Sequence, residues 1–172
     1  MELTGKRIAI MLEDLYEDPE YWYPYYRFQE AGAEVVAVAP EKKVYTSKHG
    51  YPAAAHVTPQ EAGPSRFDAV IVPGGYSPDR MRRSPEMVEF LGEAFRLGKV
   101  VAAICHGPWM LASAGVLKGK KVTSFFSIQD DLVNAGASFS DQPVVRDGNV
   151  ITSRKPDDLP HFCREIIKAL TT

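Results

Sequence analysis

The chain has 172 residues, 45% of them hydrophobic and 24% charged, with a formal net charge of −2. This balance suits a globular core of ordinary size and excludes the basic footprint of a nucleic-acid or membrane-surface binder. Two cysteines, Cys105 and Cys163, are too few for a disulfide framework. With no apolar region of signal-peptide or membrane-spanning length, the expectation is a cytoplasmic protein with reduced thiols.

In chain order, Lys6–Leu12 reads as a first buried strand. The acidic connection from Glu13 to Asp18 and then Pro19 suit a helix start, where the positive helix end favours carboxylates and the first turn accepts proline. On that ground alone Glu17 needs no other role. The helix runs to about Ala31 and Gly32. Its aromatic set, Tyr21, Trp22, Tyr23, Tyr25, Tyr26 and Phe28, exceeds one core-facing stripe, which leaves a pocket wall or subunit contact open beside packing. Glu34–Ala39 is a second strand at a spacing that suits a βαβ unit. Lys43–Ala55 alternates and turns at Lys48, His49 and Gly50, a hairpin expected on the edge of the sheet. His49 and His56 have no metal-ligand spacing to other ligands and read as surface or structural residues. Ala69–Val72 is another buried strand. It ends in Pro73, Gly74 and Gly75, where two glycines permit either a close backbone approach with free N–H groups or only a tight turn.

Pro78–Arg83 and Pro85–Leu97 read as helices, the second with Met87, Phe90, Leu91, Ala94 and Phe95 on one face. Val100–Ile104 is an apolar strand that stops at Cys105. After Gly107 and Pro108 a helix runs to Gly115. A strand, one cysteine and a helix with almost no loop make an elbow like that of nucleophilic hydrolases. The helix dipole and free N–H groups there favour thiolate, although Cys105 could equally be a small hydrophobe ending a core strand. Further strands are expected at Lys118–Thr123 and within Pro143–Ser153, the latter turning at Asp147, Gly148 and Asn149. A helix is expected at Ser127–Ala135. The last helix, Asp157–Leu170, directs Leu159, Phe162, Cys163, Ile166, Ile167 and Leu170 inward, which makes Cys163 inert. The order implies a single α/β domain over residues 1–172, with a mostly parallel sheet and helices on both faces.

The run Ala103-Ile104-Cys105-His106-Gly107-Pro108 resembles the cysteine-elbow signature of the PfpI-like (intracellular protease I) proteins in the DJ-1 superfamily. Tyr16-Glu17-Asp18, Lys48-His49-Gly50-Tyr51, Val72-Pro73-Gly74-Gly75, Lys118–Ser124 and Asp130–Gly136 match the same family in order. The resemblance spans nearly the whole chain. It implies a flavodoxin-like three-layer sandwich and a homo-oligomer, dimer or hexamer, with a site shared between subunits. It also implies Cys105 as nucleophile, Glu17 as the carboxylic acid beside it, and His106 as the histidine after the nucleophile. Gly74, Gly75 and His106 would form an oxyanion site, with the N–H groups of Gly75 and His106 as donors. Asp79, where relatives carry Glu, would reach His106 from the neighbouring subunit.

A thiolate beside an ionised carboxylate is repelled, so Glu17 would serve in that role as the protonated acid. Because His106 follows Cys105 directly, a simple Cys–His base pair is geometrically awkward, and the expectation is that His106 moves protons on the substrate. The resemblance implies a glutathione-independent glyoxalase or deglycase that turns methylglyoxal into lactate, or a cysteine peptidase. It also allows a non-enzymatic oxidative-stress sensor or chaperone, or a vestigial site. The substrate would be a small carbonyl compound or a peptide, with no cofactor and no metal required.

Overall fold

Stretches such as Ala69–Val72 and Val100–Ile104 offer no polar position, so only burial on both faces satisfies them, and every residue of both is buried. A computed structural model describes Met1–Thr172. The first half contains β1 (Arg7–Met11), α1 (Asp18–Glu30), β2 (Glu34–Val38), β3 (Val44–Thr46), β4 (Pro52–Ala54), α2 (Pro59–Ala62) and β5 (Ala69–Val72). The second contains α3 (Ser77–Met81), α4 (Pro85–Arg96), β6 (Val100–Ile104), α5 (Pro108–Ser113), β7 (Lys121–Val122), α6 (Gln129–Asn134), β8 (Ser138–Phe139), β9 (Val144–Asp147), β10 (Val150–Ser153) and α7 (Leu159–Thr171).

Six strands form one sheet in the order β2-β1-β5-β6-β10-β9. All neighbours are parallel except the edge pair β10 and β9, joined by the tight turn at Asp147–Asn149. Alternate residues feed opposite cores. Ile8 and Ile10 pack with Phe28 of α1 and Phe162 of α7, while Ala9 and Met11 pack with Met87 of α4 and Leu111 of α5. The protein is therefore the flavodoxin-like three-layer sandwich. No helix is long and apolar enough to cross a membrane. The chain leaves β1 toward β2 on one side and reaches β5 on the other, so the carboxyl ends of β1, β5 and β6 lie at a topological switch point, where ligands bind in sheets of this kind.

Two local expectations are corrected, and one short helix adds to them. The hairpin β3–β4 is a separate two-stranded sheet and does not extend the edge of the main one. It docks on the loop after β1, with Leu15 N–H donating to the Thr46 carbonyl at 2.8 Å and Lys48 N–H to the Tyr16 carbonyl at 3.0 Å. Lys118–Thr123 contributes only the short β7, which pairs with β8 outside the main sheet; Gly119, at φ +75°, turns the chain before it. The short α2 is unanticipated, although Thr58 and Glu61 form a complete capping box at its head.

Candidate active site

β6 ends at Ile104 and α5 begins at Pro108, so three residues make the whole turn. Cys105 takes φ +63°, a left-handed backbone that costs an L-residue of its type about 1 kcal/mol or more. The turn is pinned on each side: Cys105 N–H donates to the Ser153 carbonyl at 3.0 Å, and Phe125 N–H donates to the Cys105 carbonyl at 3.0 Å. A Cβ on Gly107 would lie 2.5 Å from the Val72 carbonyl oxygen, so glycine is needed for the elbow to close against β5. The Cys105 side chain is buried, 8% exposed, with the backbone N–H groups of Gly75 and His106 directed at its sulfur. Since α5 spans only six residues, those two N–H groups matter more to the sulfur than any helix dipole.

The carboxyl group beside the sulfur belongs to Glu20, which corrects the assignment to Glu17. Glu20 is fully buried, its Oε2 accepts the Gly74 N–H at 2.7 Å, and its side chain is within hydrogen-bonding reach of Cys105. Its Oε1 has no nitrogen or oxygen partner. Burial raises the Glu20 carboxyl to about 8, with the nearby Glu17 charge adding to the rise. Glu20 is thus the protonated acid that the chemistry of a thiolate neighbour requires. Burial and the Glu20 charge push the Cys105 thiol up, while the Gly75 and His106 N–H groups pull it down. Once Glu20 is neutral, that repulsion is gone.

Glu17 caps the start of α1 with no side-chain bond to the helix, and its Oε2 instead meets Lys48 Nζ at 2.7 Å. The two glutamates are one turn apart, and helix phase decides between them. Glu20, Pro24 and Phe28 are buried at a spacing of four, so extending the Phe28 stripe backward would have singled out Glu20.

His106 follows the nucleophile yet does reach it. Its Nδ1 lies 3.3 Å from the sulfur, and its Nε2 lies 3.2 Å from Ser127 Oγ, so adjacency does not prevent a Cys–His contact. The ring stacks on Phe125 at 5.1 Å and meets the edge of Trp109 at 5.2 Å. Burial, with the nearby Lys48 charge, lowers its pKa and keeps the imidazole neutral. Ser127 and Phe125 carried no signal in the sequence, because only the fold brings that segment over the elbow.

Gly74 and Gly75 differ in what they can offer. The Gly74 N–H is taken by Glu20, which removes it as an oxyanion donor, whereas the Gly75 N–H points to the sulfur. Gly75 sits at φ +79°, and an added Cβ would lie 2.5 Å from both Glu17 N and the Leu15 carbonyl oxygen. We expect Gly75→Ala to lower stability by at least about 2 kcal/mol, roughly 4–8 °C in Tm for a chain of this length, measured by thermal unfolding. An unchanged Tm would show that the loop after β1 yields freely.

Asp79 is exposed on α3 and binds Arg83 at 2.6 Å; within one chain it does not meet His106. His49, isolated in the sequence, comes within 4.8 Å of the carboxylates of Glu17 and Asp18. Asp18 is held by Ser47 Oγ at 2.6 Å and His49 Nδ1 at 2.7 Å, which fixes the hairpin to the head of α1. Of the α1 aromatics, Tyr21 and Phe28 enter the core, while Trp22 and Tyr26 join Pro19 and Tyr51 around an open groove of about 400 Å³. None of the surface clefts is lined by Cys105.

A parallel α/β sandwich with a buried cysteine held at positive φ between strand and helix defines the cysteine-elbow class of enzyme. The chain belongs to the DJ-1/PfpI family, whose model matches residues 6–169, and it is a PfpI-type enzyme. It is 46% identical to Deglycase PfpI of Pyrococcus furiosus over 95% of this chain and 99% of that protein. It is 41% identical to General stress protein 18 of Bacillus subtilis over 96% of this chain and 98% of that one. The crystal structure of a two-domain protein from Anabaena variabilis, containing DJ-1/ThiJ/PfpI-like and ferritin-like domains, superposes with a TM-score of 0.95 at 44% identity. The match covers 96% of this chain and 48% of that one.

Proposed function

We propose that the protein is a cysteine-dependent enzyme of reactive carbonyls, of the deglycase or glutathione-independent glyoxalase type, which converts methylglyoxal to lactate. The observation that carries this reading is the buried Cys105 sulfur, set between neutral His106 at 3.3 Å, the protonated Glu20 and two backbone N–H groups. The tautomer with Nε2–H donating to Ser127 leaves His106 Nδ1 free to take the thiol proton. The sulfur then adds to the aldehyde carbon, and the N–H groups of Gly75 and His106 stabilise the oxygen that becomes negative. Protonation gives a hemithioacetal. Moving one proton from its carbon to the neighbouring ketone carbon, through an enediol, oxidises the first carbon and reduces the second to leave a lactoyl thioester. Glu20 relays that proton in this reading. Water then releases lactate and restores the thiol, so the net change is methylglyoxal plus water to lactate.

A homo-oligomer completes this reading, with Asp79 of one protomer offered to His106 of its partner; unchanged turnover in Asp79→Ala would remove Asp79 from the site. The deciding test follows lactate formed without glutathione, because any thiol reversibly traps the aldehyde and imitates its loss. No lactate at concentrations where a related glyoxalase works would overturn the proposal.

A further inference from the structure

Lys48 takes no part in the chemistry above, yet it is held at the mouth of the site. The hairpin turn that carries it is fixed by Asp18 to Ser47 and His49, and by Ser47 Oγ accepting the N–H groups of His49 and Tyr51 at 3.1 and 2.9 Å. From there Nζ reaches Glu17 at 2.7 Å and lies 5.3 Å from the centre of the Tyr76 ring. Glu17 itself is stitched to the glycine turn that serves the sulfur: its N–H donates to the Gly74 carbonyl at 3.2 Å, and Tyr16 bridges Gly75. A cation and an anion are thereby fixed beside the two groups that share a proton, Cys105 and Glu20.

We propose that Glu17 and Lys48 are a positioning pair for the Cys105–Glu20 couple, an ion pair at the rim whose opposed charges set how readily the sulfur is ionised. The proposal rests on Cys105 as the nucleophile and not on which carbonyl it attacks. The titratable groups facing the couple are Glu17 from the head of α1, Lys48 from the hairpin and His106 from the elbow, with Tyr76 of the turn after β5 lying against Lys48. His49, behind Lys48, is engaged by Asp18. The Glu17 charge favours the protonated form of Glu20, whereas Lys48 favours the ionised forms of both Glu20 and Cys105. Paired, each offsets part of the other. Separated, they act in opposite directions.

That opposition gives a test which a merely structural role does not imitate. In the full-length protein, alkylation of Cys105 by iodoacetamide is followed by mass spectrometry from pH 5 to 10. Cys163, buried on α7, is the internal reference. Lys48→Met is expected to raise the midpoint of the alkylation profile by about 0.5–1 pH unit and Glu17→Gln to lower it by a similar amount, the scale of one partly screened charge at close range. The double variant returns close to wild type, and Lys48→Arg preserves the wild-type midpoint. Single variants that shift in the same direction, or not at all, overturn the proposal, as does a double variant that stays displaced. Failure of the carbonyl reading would show as absent lactate in the wild type, with these opposed shifts intact.

Discussion

Replacing Cys105 with serine is expected to reduce lactate formation from methylglyoxal by at least ~10³-fold, the scale on which loss of a nucleophile is felt. The change is nearly isosteric, and serine keeps the left-handed backbone, the Ser153 and Phe125 backbone bonds and the burial of the site. Thermal unfolding should therefore barely move, which separates lost chemistry from lost fold. The hydroxyl is far less acidic than the thiol, so His106 at 3.3 Å cannot generate a comparable nucleophile from it. Lactate production that survives the substitution would rule out covalent catalysis by Cys105. A chaperone function, needing only surface, would be left untouched.

The second large effect belongs to Glu20. Glu20→Gln retains an oxygen for the Gly74 N–H but removes the transferable proton, and turnover should fall by about 10²–10⁴-fold. Glu17→Gln, one helical turn away, should leave most of the turnover at neutral pH. The same substitution at Glu20 has a stability signature of definite sign. In the folded protein Glu20 titrates near 8, against an ordinary value of 4.5, so between those values the native state holds a proton that the unfolded chain has released. More protons bound to the native state means that stability falls as pH rises. Relative to the Gln variant, the wild type is most favoured below about pH 4.5 and loses that advantage as pH climbs through about 8. Urea unfolding of both proteins at pH 5, 7 and 9 measures the difference, in which the contributions of His106 and the other groups cancel. A difference that grows with pH in favour of wild type would mean that Glu20 is buried as a stabilised anion.

The architecture was legible because a parallel sheet buried on both faces writes itself as unbroken apolar runs. β1, β5 and β6 fall where those runs lie, and Gly32 and Gly136 mark turns at φ +98° and +97°. The elbow was legible for a related reason, since a strand that ends on a single cysteine before Gly107 and Pro108 has little room for any other conformation. What sequence reasoning missed depends on phase and on distance. Glu17 and Glu20 are both acidic residues in the first turn region of one helix, and which of them meets the sulfur is set by the rotation of α1 against Gly74. The resemblance pointed to Glu17, whereas the local pattern gave that residue only a place at the helix start. Lys48 and Ser127 reach the site from segments 57 and 22 residues away along the chain, through a hairpin dock and a loop crossing that no periodicity encodes. The position of the hairpin off the main sheet is not legible either, because alternation reports a half-buried strand without saying which strand lies beside it.

The left-handed backbone at Cys105 also bears on how this protein can change over time. Glycine is the residue that conformation suits at no steric cost, so folding alone would replace the cysteine and gain roughly 1 kcal/mol in doing so. The thiol therefore persists against the preference of its own backbone, sustained only by what the sulfur does. A lineage that no longer needed the reaction would be free to drift toward a more stable, silent elbow, and the loss would leave the sandwich around it intact.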